Sequence, residues 1–155
     1  MLKKCGSLAN SAPLHGSIPI YHRYTLGVAG ERFFKAIRDR KQLMASDCPN
    51  CNDRFLPPKI YCEICFHETQ DWSEVEGPGY IAACTAVHYS LEGERLEEPL
   101  VVAVINWPGV RGGLIHKVRG AGLAELALGT TVEPAWSERR SGTITDIDFF
   151  RPVES

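Results

Sequence analysis

Four cysteines, in the pairs Cys48-Pro49-Asn50-Cys51 and Cys62-Glu63-Ile64-Cys65, carry the most legible chemistry of this chain. Two intervening residues let one reversing turn aim both sulfurs of a pair at one ion. Two such turns close a tetrahedral thiolate site with metal–sulfur distances of about 2.3 Å. The expected metal is structural Zn2+, because four sulfurs leave no open position for water or substrate. Iron in a rubredoxin-like site is the chemical alternative. Disulfides or redox pairs fit less well, since the opening Met1-Leu2-Lys3-Lys4 lacks the apolar stretch of an export signal. Each turn wants a residue tolerant of positive φ after its second cysteine. Asn52 meets that demand and Phe66 departs from it.

The remaining cysteines, Cys5 and Cys84, read as inert thiols. His67 stands close to Cys65, but four sulfurs already satisfy the ion and a solvated histidine is expected. His15 and His22 support no inference.

With 155 residues, 44% hydrophobic content and a net charge of −2, the chain suits one compact domain plus a small appendage and carries no basic excess. Nucleic-acid binding is therefore disfavoured, although zinc ribbons and small β-barrels both serve it in other settings. No apolar run nears the roughly 20 residues a membrane span requires. A cytoplasmic, soluble protein with reduced thiols is expected.

The elements that must hold the cysteines follow from patterning. Residues 1–26 show no sustained period and read as an extended tail that is disordered or laid on a partner. Residues 27–44 read as an amphipathic helix, with Phe33, Phe34, Ile37 and Leu43 set among Glu31, Arg32, Lys35, Arg38, Asp39, Arg40 and Lys41. The ribbon is expected over 45–70, with Pro57-Pro58 stiffening the link between its turns.

Residues 71–155 are β-rich, with strands predicted over 80–89, 100–107, 114–119, 131–137 and 143–150. A short helix over 121–128, stopped by Gly129, is predicted between the third and fourth. Three strands, a helix and two strands match the five-stranded Greek-key barrel of the OB-fold. Gly77, Gly79, Gly112 and Gly113 fall where a small barrel must bend. Residues Leu100 to Trp107 are apolar on both faces, so cover by a partner or by this chain's own helix or loop is expected. The fold class is thus mainly β: an N-terminal helix, a rubredoxin-like zinc ribbon, then the barrel.

This order resembles the acyl-CoA-associated zinc-ribbon/OB-fold family, formerly a domain of unknown function. The helix running into Cys48-Pro49-Asn50-Cys51, the stretch from Phe55-Leu56-Pro57-Pro58 to Cys62-Glu63-Ile64-Cys65, Gly77-Pro78-Gly79-Tyr80 and Leu128-Gly129-Thr130-Thr131-Val132 carry the resemblance from Gly27 to the C-terminus. The tail exceeds the usual family plan. Members look like non-catalytic partners of thiolase-fold enzymes, so the resemblance implies an accessory subunit in a hetero-oligomer acting on acyl-CoA.

Carbon–carbon cleavage or formation on a CoA thioester needs a cysteine nucleophile, a histidine base and an oxyanion hole together. Cys84 and His88 fall on one predicted strand with backbones roughly 13 Å apart, so they cannot pair and no catalytic residue is expected on this chain. Coenzyme A phosphates call for basic side chains. Lys117 and Arg119 on one strand face, Arg111 before that strand, and Arg139 and Arg140 in the last hairpin are the expected contacts to CoA shared with the partner.

Overall fold

Phe33, Ala36 and Ile37 recur at helical spacing and, with Ala29, form the buried face of α1 (Gly27–Arg40). The computed structural model describes residues 21–22, 24–69, 71–122 and 126–153. The helix stops earlier than the pattern over 27–44 suggests, because Lys41 turns left-handed at φ 56°. Its N–H returns to Ile37 O at 3.2 Å and that of Gln42 to Ala36 O at 3.3 Å, which satisfies the last carbonyls. Leu43, released from the helix, enters the core. No helix among the described residues is long and apolar enough to cross a membrane.

A small sheet follows. Strands β1 (Met44–Asp47) and β2 (Arg54–Leu56) form the antiparallel pair from which the first cysteine turn projects. Strand β3 (Asp71–Glu74) pairs with β1 along its whole length, so the ribbon sheet runs past the expected boundary at residue 70. The fourth strand comes from far along the chain: β6 (Arg111–Gly112) lies parallel to β2, giving the order β3-β1-β2-β6. Gly112 makes this approach feasible. Its φ is 83°, and a Cβ there would stand 2.4 Å from Leu56 O.

Five strands close the barrel in the order β4-β5-β7-β9-β8: β4 (Gly79–Tyr89), β5 (Arg95–Asn106), β7 (Leu114–Val118), β8 (Thr131–Trp136) and β9 (Ile147–Pro152). Strands β7 and β9 pair in parallel and the other neighbours are antiparallel. This is the OB-fold closure expected from the strand count.

Gly79 lets β4 pass over Ile105 and Trp107, where a Cβ would meet Ile105 Cγ2 at 2.6 Å. Strand β5 starts at Arg95, before the predicted onset, because Glu97, Glu98 and Pro99 extend it with exposed residues that the apolar pattern does not mark. Its odd positions Val101, Ala103 and Ile105 are buried, while Val102 and Val104 on the other face are half-buried. The last strand begins later than predicted, since residues 144–146 form a 3-10 turn whose buried Asp146 draws the loop inward. Of the helix predicted over 121–128, residues 123–125 lie outside the described residues. Residues 121–122 and 126–130 take bend, turn and irregular backbone, with Leu126 buried.

Helix, ribbon and barrel share one core. Phe33, Ile37, Leu43 and Leu56 join Ile81, Val101, Ile105, Leu114, Val118, Val132, Ile147 and Phe150 in a single cluster. The apolar face of α1 therefore packs on its own chain. Of the expected tail, residues 1–20, including Cys5 and His15, lie outside the described residues.

Candidate metal centre

The two cysteine turns have the same backbone design. In the first, Asn52 N–H reaches Cys48 O at 2.9 Å and Cys48 N–H reaches Asp53 O at 2.9 Å. In the second, Phe66 N–H reaches Cys62 O at 3.0 Å and Cys62 N–H reaches His67 O at 2.8 Å. Each reversal is completed by a left-handed residue, Asn52 at φ 58° and Phe66 at φ 60°. Asparagine tolerates that conformation and phenylalanine does so at a cost, so the second knuckle keeps its geometry against the preference of its residue.

The sulfurs of Cys48, Cys51, Cys62 and Cys65 lie within 4.8 Å of one another. Cys48 Sγ and Cys65 Sγ are 3.6 Å apart, close to the roughly 3.8 Å between sulfurs that share one tetrahedral zinc. All four are free thiols, as is Cys84. Backbone N–H groups of Cys51 and Ile64 point at Cys48 Sγ and Cys62 Sγ, each at 3.4 Å, which suits thiolate acceptors. Cys48 and Cys62 are buried around the Phe55 ring, and Lys59 Nζ stands 5.2 Å from that ring. The residues present therefore fit a tetrahedral metal ion such as zinc.

Electrostatics point the same way. The Asn50 side chain, the His67 backbone and the neighbouring thiols bring Cys65 down to about 6. Cys51, hydrogen-bonded first to Cys65 and then hindered by burial and the other sulfurs, is pushed up to about 12. One thiolate forms readily, and its charge opposes the next. A divalent cation removes that opposition and lets all four ionise.

A buried polar latch, not evident from spacing, holds the second knuckle in place. Lys59 N–H donates to Ser46 Oγ at 2.9 Å, and Thr69 Oγ1 donates to Lys59 O. Ser46 and Thr69 are both buried. Asn50 and Asp53, also missed as functional residues, sit within or beside the first CxxC motif, and only that proximity could have marked them.

The residues expected to meet CoA phosphates engage separate local partners. Arg111 Nε donates to Asp53 Oδ1 at 2.7 Å, and this pairing raises the guanidinium pKa. Lys117 Nζ is 3.2 Å from Asp148 Oδ1, while the Arg119 guanidinium lies 5.5 Å from the Phe149 ring. Arg140 donates to Arg38 O at 2.7 Å and to Ser137 O at 3.0 Å, bracing the end of α1. Arg139 is exposed in the same loop, its carbonyl accepting from Ser137 Oγ. Arg119 and His88 line a cleft of about 1040 Å³ with Glu98, Leu100 and Val118. Cys84 is half-buried against the core and His88 is exposed, so the structure does not bring them together as a catalytic pair.

Fold and site together define an OB-fold barrel protein with a four-cysteine ribbon able to hold a metal ion. No family model and no curated protein matches the sequence. Solved structures do match. A protein of unknown function from the DUF35 family of Sulfolobus solfataricus shares 26% identity at a TM-score of 0.65, over 81% of this chain and 84% of that one. A chain of the Ltp2-ChsH2(DUF35) aldolase shares 23% identity at a TM-score of 0.61, over 84% of this chain and 98% of that one. The solved structures that this chain resembles are thus DUF35 proteins.

Proposed function

We propose that this chain is a non-catalytic, zinc-bearing accessory subunit of a thiolase-fold enzyme that cleaves or forms a carbon–carbon bond on an acyl-CoA. The observation that carries this reading is a closed four-sulfur site on a chain whose fold resembles a chain of the Ltp2-ChsH2(DUF35) aldolase. A closed thiolate site supplies rigidity and no Lewis-acid position. The partner subunit then owns the reactive groups, as an assembly of the Ltp2-ChsH2(DUF35) aldolase kind supports.

The small subunit of benzoylsuccinyl-CoA thiolase, which acts in anaerobic toluene degradation, is the particular candidate carried by the family resemblance. Within the complex, Arg111, Lys117, Arg119, Arg139 and Arg140 are the proposed contacts to CoA phosphates shared with the partner. The role is cytoplasmic.

Co-expression with a thiolase-fold subunit of that activity tests the reading. The two chains should co-elute, and thioester cleavage should require both. Turnover by this chain alone, or its elution as a monomer that ignores the partner, overturns the proposal.

A further inference from the structure

The second metal knuckle is more apolar and more exposed than its structural task requires. Phe66 is 80% exposed, Tyr61 60%, Ile64 53% and Ile60 37%. Phe66 also occupies the left-handed position where Asn52 serves the equivalent turn of the first knuckle. A side chain that is both unfavourable in its backbone conformation and left in water gains nothing from the fold of this chain. Of the nearby charges, Lys59 Nζ is bonded to Glu63 Oε2, while Glu68, bridged to Tyr61, is exposed at the edge of the tip.

Two residues before Ile60, Pro58 borders an apolar cleft of about 390 Å³ that no titratable side chain lines. Phe33 and Phe34 of α1, Pro57, and Leu114 and Ile115 of β7 are among its walls. Ile115 itself is 71% exposed.

We infer that the knuckle tip around Phe66, together with the cleft that Pro58 borders, is the surface on which a partner protein docks through an apolar pocket. The inference rests on the proposed accessory role and names the surface that performs it. Area argues against a second copy as the occupant. The four tip residues present on the order of 500 Å², so tip-to-tip pairing of two copies buries on the order of 1,000 Å², short of the roughly 1,600 Å² of a typical stable interface. A tip formed by a turn is convex and needs a concave acceptor. A larger, different chain can supply that acceptor and cover the cleft at once, with Phe66 as a buried aromatic anchor.

The test is equilibrium binding of the metal-loaded full chain to the thiolase-fold subunit with which it is co-expressed, measured by biolayer interferometry. Phe66→Asn places in the second knuckle the residue type that the first knuckle uses. It should keep one metal per chain and an unchanged or higher Tm, yet weaken binding by at least about tenfold. Ile115→Ser alters the cleft without touching the ribbon and should weaken binding by about fivefold. Wild-type affinity in both variants overturns the docking surface and leaves the accessory role standing. A wild-type chain that does not bind overturns both.

Discussion

The Arg111 guanidinium donates to Asp53 Oδ1 at 2.7 Å, joining a barrel loop to the first metal knuckle across 58 positions of sequence. This contact sits beside the β2–β6 pairing and shows that ribbon and barrel are one mechanical unit. The pair is partly exposed, so its energetic weight is small. Arg111→Ala should lower Tm by less than about 2 °C, and the loss should shrink in high salt. A thermal melt at two ionic strengths checks this.

Gly112 is the less forgiving part of the same junction. Alanine at φ 83° is strained, and its Cβ would collide with Leu56 O, a backbone atom that cannot swing aside. Gly112→Ala should cost about 2–4 kcal/mol, chiefly by prising β6 off β2. Hydrogen exchange should then show faster exchange at Phe55 and Leu56, while the barrel core around Ile105 stays protected.

Removal of the metal should act first on the ribbon. The small cluster of Cys48, Phe55 and Cys62 is too slight to hold two turns without an ion. Cys62→Ser, or a strong chelator, should lower Tm by more than about 10 °C and abolish the one equivalent of metal that elemental analysis of the wild type should find. Zinc retained at one equivalent in Cys62→Ser would contradict a four-thiolate site.

Asp146 gives the fold an acid limit. Burial raises its pKa, but N–H groups of Ser141 at 2.9 Å and Gly142 at 2.7 Å outweigh this, with Thr143 adding to them, and the net shift is downward. A carboxyl whose folded pKa is depressed contributes stability above its unfolded value, near 3.9, and loses it as pH falls through the folded value. Asp146→Asn should cost about 1–3 kcal/mol at neutral pH. The difference from wild type should narrow below about pH 4 in denaturant titrations.

Lys117 of β7 and Arg119, just past its end, stand beside Asp148 and Phe149 of β9. Alanine at both positions should raise the CoA requirement of the assembled complex about tenfold, without changing the Tm of the isolated chain by more than about 2 °C. Unchanged dependence on CoA in steady-state assays would remove them as phosphate contacts.

The features set by short-range rules were open to reading in the linear chain. The CxxC spacing fixed the four-sulfur cluster, because two residues between ligands are enough to define a reversing turn. Runs of β-forming residues bounded by turn residues marked the five barrel strands, since strand and turn preferences act over a few neighbouring positions. Local demands of this kind leave local signatures.

Contacts that join distant stretches left none. Strand β6 has two residues and no periodicity, so its place on β2 is visible only once Gly112 is seen against Leu56 O. The carboxylates that engage Arg111 and Lys117 lie 58 and 31 positions away, and nothing in the spacing announces them. Residue types and near-neighbour spacing determined the metal cluster and the barrel. Tertiary packing alone decided which charges are paired, which knuckle stays exposed, and how the ribbon is fastened to the barrel, because those depend on surfaces that exist only after the chain has folded.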